Sequence, residues 1–213
     1  MNPTDASVMA AALELGDALA RIAAALHVPV MIAALGALLL CALELGRFAG
    51  ELWRRLRVGR GALGRIVRRA VADPKLIEPL ASQAPSRAAR TAAAVVAHAV
   101  VAGDRASAEH ALADFELAVQ RRLDTTRILV RAGPAIGLMG TLIPLAPGLA
   151  ALGRGDVPAL ADDLRSAFGA TVIGLLVGTV AYALTLTRTR LYTEDLAELE
   201  RSADRAHEPS VST

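Results

Sequence analysis

A chain of 213 residues that is 54% hydrophobic but only 3% aromatic takes its apolar content from Ala, Leu, Val, Ile and Gly, residues that pack helices more readily than they build strands. The formal net charge of +2 conceals 23 basic and 21 acidic groups that are unevenly placed, so no general affinity for nucleic acid follows. The single cysteine, Cys41, excludes a disulfide framework or a Cys-rich metal site within one chain.

Residues 1–21 read as an N-terminal arm and residues 22–45 as a first transmembrane helix, in which His27 is the only markedly polar residue before Glu44. The apolar run exceeds the h-region of a signal peptide, and Leu38-Leu39-Leu40-Cys41 lacks the small residue that precedes a lipoprotein cysteine. The run is therefore expected to be retained.

Residues 46–131 hold 16 of the 23 basic residues and read as a helical insertion. From Glu51 to Asp73, Leu52, Leu56, Leu63, Ile66, Val67 and Val71 share one face, while Arg54, Arg55, Arg60, Arg65, Arg68 and Arg69 lie largely elsewhere. Two readings fit: a helix lying on an anionic inner leaflet, or one packed on its own domain. Gly59, Gly61 and Gly64 weaken both, and Pro74, Pro79 and Pro85 mark a break. Helical pattern resumes at Ser86 and runs to Ala102, where Gly103-Asp104 punctuates it. A second helix from about Ala106 carries Leu112, Phe115, Val119 and Leu123 at helical spacing and continues through Leu129 into the next span.

Residues 132–153 and 166–187 contain no charge and read as the second and third transmembrane helices, joined by an outer hairpin over residues 154–165 and followed by a tail over residues 188–213. Arg47, Arg54, Arg55, Arg127, Arg131, Arg188 and Arg190 cluster beside one set of span ends, against only Arg21, Arg154 and Arg165 at the other. The positive-inside bias then puts the N-terminus outside and the C-terminus in the cytoplasm of a cell membrane. The expected fold class is an all-α integral membrane protein, with three transmembrane helices and a helical cytoplasmic insertion between the first and second.

Catalytic chemistry finds no support. There is no Gly-rich phosphate loop, HExxH pair, CxxC or nucleophile elbow, and His27, His98, His110 and His207 are scattered. No catalytic residue, metal ligand or cofactor is assigned, and an enzyme is not expected.

The informative signal lies in the last two spans. Gly133, Gly137 and Thr141 recur at four-residue spacing in the second, and Ala170, Gly174 and Gly178 in the third. Small-xxx-small faces let helix backbones approach closely, and Gly133, Gly137, Ala170, Gly174 and Gly178 are expected to be packing positions through which copies assemble.

The segments GPAIGLMGTLIPLAPGLAALG (residues 133–153) and LADDLRSAFGATVIGLLVG (residues 160–178), with the Arg-rich helix before them, resemble the MotA/TolQ/ExbB proton channel family in order, spacing and the short hairpin between them. The resemblance covers about the last 100 residues and is closest to a divergent branch. It implies a homo-oligomer, commonly a pentamer, enclosing the single-span helices of an ExbD/TolR/MotB-like partner that carries a membrane Asp. It also implies that Thr141 and Thr171 face that central helix beside the ion path. Some members carry an acid about five positions before the third-span threonine; here that position is Ser166, and no carboxylate role is transferred to Asp162 or Asp163.

The residues themselves fit a shared pathway. Intramembrane carboxylates normally mark proton relays, yet the second and third spans contain none and Glu44 sits at the inner end of the first, so a transport site needs its titrating group from elsewhere, and a partner's membrane Asp would supply it. Two threonine hydroxyls could hydrogen-bond that group or a hydrated ion. The resulting expectation is a proton-channel subunit of an ion-driven energy-transducing complex, in contact with membrane lipids, with copies of itself and with a single-span partner, but not with nucleic acid. The alternative is a passive membrane scaffold without ion transport.

Overall fold

The computed structural model describes residues 3–59 and 61–207; residues 1–2, Arg60 and residues 208–213 lie outside the described residues. The described chain is all helical, in the order α1 (Pro3–Val58), α2 (Ala62–Ala72), a 3-10 turn (Pro74–Leu76), α3 (Ile77–Ala81), α4 (Arg87–Ala102), α5 (Arg105–Gly153) and α6 (Val157–His207).

Local chemistry sets most of the breaks. Helix α1 stops where Gly59 and Gly61 take φ values of +80° and +71°, a left-handed backbone that side-chain-bearing residues rarely adopt. The stretch from Glu51 to Asp73 is therefore the end of one helix and the whole of another. Ser86 Oγ accepts the Ala89 N–H at 3.1 Å to cap α4, and Gly103, at φ +69°, ends it. Asp104 then accepts from the Ser107 N–H and Oγ at 3.1 and 2.6 Å, which starts α5 and holds the Asp104 carboxyl below its ordinary range. Asp156 Oδ1 does the same for α6, accepting the Ala159 N–H at 3.1 Å.

The helices contribute to two compact units. The first comprises α1 to Ala42, α5 from Ile128 and α6 to Ala181. Its small core gathers Ala37, Cys41, Leu129, Val177 and Ala181, with Cys41 Sγ 3.9 Å from the Val177 carbonyl. Helices α1, α5 and α6 are each long and apolar enough to cross a membrane, with apolar windows of mean hydropathy 2.3, 1.8 and 1.9. Only 22%, 28% and 39% of those windows is buried, so the unit presents Leu35, Leu39, Leu138, Leu142, Phe168, Val172 and Leu175 outward. A continuous apolar surface of this kind suits hydrocarbon, and helices satisfy their own backbone there. The chain is a multi-pass membrane protein.

The second unit comprises the rest of α1, α2 to α4, the first part of α5 and the last part of α6. Its core packs Leu63, Ile66 and Val67 of α2 with Ala89, Ala93 and Val96 of α4, Phe115 of α5 and Leu199 of α6. This resolves the two readings of the amphipathic stretch. The apolar face of α2 is consumed by its own unit, with Leu63 and Val67 at 1% exposure, and is not free to lie on a leaflet. Arg65, Arg68 and Arg69 are exposed on the opposite face. Leu56, on the α1 side of the glycine break, stands apart from that face and is 74% exposed.

Candidate functional site

Within the first unit, α5 and α6 run antiparallel along a seam of small residues. A Cβ on Gly133 would lie 2.8 Å from the Gly174 carbonyl oxygen and 2.9 Å from the Gly178 nitrogen. One on Gly174 would lie 2.6 Å from the Gly133 carbonyl oxygen and 2.7 Å from the Gly137 Cα. Gly137 meets Ala170 and Thr171 at 3.3 and 3.4 Å by the same measure, and Gly178 meets the Pro134 ring at 2.8 Å. Real side chains do not tolerate the separations under 3.0 Å and seldom show those at Gly137, so the backbones touch because these positions lack a Cβ or carry only a methyl. Gly140 belongs to the same seam, its Cβ position 2.5 Å from that of Ala170, although it falls three rather than four residues after Gly137. These glycines are occupied by contacts inside one chain. Their faces are therefore not open to a second copy, and the sequence-based expectation that copies assemble through them does not fit this geometry.

The two threonines are placed differently, Thr171 reaching across the seam and Thr141 bonding within its own helix. Thr171 Oγ1 donates to the Gly137 carbonyl at 3.4 Å, a long interhelical bond, and the residue is half-buried. Thr141 Oγ1 donates to the Leu138 carbonyl of its own helix at 2.7 Å. Each hydroxyl keeps acceptor capacity while its proton is engaged. Thr179 is exposed further along α6. No carboxylate lies within residues 132–153 or 166–187, and among the described residues no group of His, Cys, Asp or Glu could hold a metal ion.

The second unit contains an ionic ladder that the sequence reading missed. Arg188, counted there as one of several positive-inside residues, is completely buried. Its NH1 lies 2.6 Å from Glu44 Oε2 and its NH2 donates to the Glu44 carbonyl at 3.2 Å, while Arg47 reaches Glu44 Oε1 at 2.7 Å. Further along, the Tyr192 hydroxyl donates to Glu51 Oε2 at 3.0 Å, and Arg55 grips Asp195 through two bonds of 2.9 and 2.5 Å while also reaching Glu51 at 3.2 Å. Arg122 of α5 stands 3.9 Å from the same Glu51 carboxylate. Burial pushes the Tyr192 phenol up to about 12, with the Glu51 charge adding to the effect. Burial also lifts the Asp195 carboxyl above its ordinary value, although Arg55 pulls it back. A signal for the ladder exists in the sequence. Glu44, Phe48, Glu51 and Arg55 on α1, and Arg188, Tyr192, Asp195 and Leu199 on α6, repeat at alternating four- and three-residue spacing, the seam of two packed helices.

Residues 74–201 match the family described as the MotA/TolQ/ExbB proton channel family, which is more than half of the chain and takes in α3 to α5 and most of α6. The chain belongs to that family. No curated protein and no solved structure gives a significant match. For a MotA/TolQ/ExbB protein the seam of α5 and α6 is the candidate site, because the two uncharged helices make their close backbone contacts there and Thr171 reaches across it. The family is one of channels and transducers, not of enzymes, and works in association with other membrane proteins.

Proposed function

We propose that this chain is a proton-channel subunit of an ion-driven energy-transducing membrane complex. Copies form a ring, expected to be a pentamer, around the single-span helices of an ExbD/TolR/MotB-like partner carrying a membrane Asp. Proton flow through the assembly is coupled to mechanical work. The N-terminus and the α5–α6 turn lie outside the cell membrane, and the second unit with its basic surface lies in the cytoplasm. Thr141 and Thr171 border the path and hydrogen-bond the partner's carboxyl group or a hydrated proton as its charge changes.

The observation that carries this reading is an incomplete site. The two uncharged spans offer hydroxyls and backbone oxygens at a tight seam but contain no titrating group. A proton pathway needs one, and family membership points to a membrane partner as its source. The test compares the purified chain alone in vesicles with the chain co-purified and reconstituted with its partner. Alone it should pass few protons under a pH gradient; with the partner, uptake should rise. Robust uptake by the chain alone would overturn the reading.

A further inference from the structure

At the outer end of the α5–α6 seam the chain half-buries a carboxylate, Asp163, that makes no ion pair among the described residues. Asp163 precedes Thr171 by about two helical turns on α6, with Ala167 between them, so Asp163, Ala167, Thr171 and Gly174 follow one face. Opposite stands buried Gly148 of α5, where a Cβ would lie 3.3 Å from both Cβ and Oδ2 of Asp163 and 3.1 Å from Leu160 Cδ1. The contact continues the antiparallel register that sets Gly140 against Ala170 and Gly137 against Thr171.

The electrostatic setting is bare. Among the described residues Asp163 makes no ion pair and accepts no hydrogen bond. Its own helix adds Asp162 and Arg165 nearby, and the preceding turn adds Arg154 and Asp156, all four exposed. Residues 132–153 of α5 contribute no ionisable side chain. A half-buried carboxylate at the end of a membrane-spanning helix, packed on Gly148 and without an ion pair among the described residues, is placed where a proton site is expected. Inward from it the seam supplies further oxygens. Pro144 and Pro147 have no N–H, which leaves the carbonyls of Gly140 and Ile143 without their usual helical donor. The hydroxyls of Thr141 and Thr171 follow.

We propose that Asp163 is the intake carboxylate of the proton path, a site for a hydrated proton at the outer mouth of the α5–α6 seam. This rests on the pathway reading above. The carboxylate takes one proton from hydronium, releasing water, and becomes the neutral acid. The acid then gives that proton to a water beside the seam, on the side of α6 that carries Thr171, and returns to the carboxylate. Between turnovers its negative charge concentrates protons at the mouth.

The test uses the complex co-purified with its membrane partner and reconstituted in vesicles, with native mass checked for each variant. Asp163→Asn should lower the initial proton uptake rate about tenfold, Asp163→Glu should restore most of it, and Asp162→Asn should leave it unchanged. Wild-type uptake in Asp163→Asn, alongside a loss in Thr171→Val, overturns the intake role and leaves the pathway standing. Absence of uptake in the wild-type complex overturns both. Should Asp163→Asn fail to assemble, the wild-type complex can be treated from outside with an impermeant carbodiimide and an amine. Uptake should fall in step with amide formation at Asp163, read by mass spectrometry. Full modification with unchanged uptake overturns the proposal.

Discussion

Removing Glu44 should damage this protein more than removing its buried partner Arg188, and removing both should cost least. Arg188 makes one charge-assisted bond of 2.6 Å to the Glu44 carboxylate and one of 3.2 Å to the Glu44 backbone carbonyl, while its buried Nε has no acceptor among the described residues. Glu44→Ala removes the carboxylate and leaves a buried guanidinium with a single carbonyl for company. Breaking a buried pair from one side costs about 3–5 kcal/mol. Arg188→Leu leaves Glu44 with a second partner, Arg47, whose side chain is 66% exposed and whose bond is 2.7 Å long, so the loss should fall nearer 2 kcal/mol. Glu44→Leu combined with Arg188→Leu removes both charges and fills the space with apolar atoms, and should come within about 1 kcal/mol of wild type. Denaturation in mixed detergent micelles measures the three variants. Single substitutions that cost under about 1 kcal/mol, or a double variant that costs the sum of the singles, would refute a desolvated pair and leave an ordinary surface contact.

The seam makes a local prediction: Gly174→Ala puts a methyl 2.6 Å from the Gly133 carbonyl and should destabilise by about 1–3 kcal/mol, whereas Gly169→Ala, with open space around its Cβ position, should be neutral or slightly stabilising in the same assay. The Tyr192 phenol is raised from 10.0 to about 12, so its contribution is fully present below pH 10 and is lost as pH rises to 12. That loss is about 3 kcal/mol, and Tyr192→Phe should abolish the alkaline fall in stability; an unchanged alkaline profile would contradict the burial. For orientation, in a Cys41→Ala background a cysteine at Arg154 should react with an impermeant thiol reagent on intact cells and one at Ser107 should not, and labelling at Ser107 would reverse the topology.

The membrane helices were legible because uncharged runs of this length leave few soluble alternatives, and the α5–α6 register was implicit in the spacing of Gly133 and Gly137 against Gly174 and Gly178. What the spacing does not contain is the identity of the neighbour. A small-residue face fits another helix of the same chain or of a second copy equally well, and the contacts at Gly133, Gly137 and Gly174 place it within the chain. The face of α2 posed the same ambiguity, since Leu63, Ile66 and Val67 would suit a leaflet as well as a protein core. The pairing of Arg188 was not legible because a charge beside a span looks the same in sequence whether solvated or paired; only the α1–α6 contact separates the cases. Gly140 lies off the four-residue steps of Gly133 and Gly137 because a helical face alternates three and four.

The central claim is that protons pass along the α5–α6 seam beside the two threonines, and proton uptake by the partner-containing complex tests it most directly. Thr141→Val and Thr171→Val keep the side-chain shape and remove the hydroxyl. Interhelical hydrogen bonds in membranes average only about 0.6 kcal/mol, so the assembly should keep its native mass. The account predicts that both variants lose partner-dependent uptake while exposed Thr179→Val retains it. Wild-type uptake in Thr141→Val and Thr171→Val, with loss in Thr179→Val, would contradict the account and move the path to another face of α6.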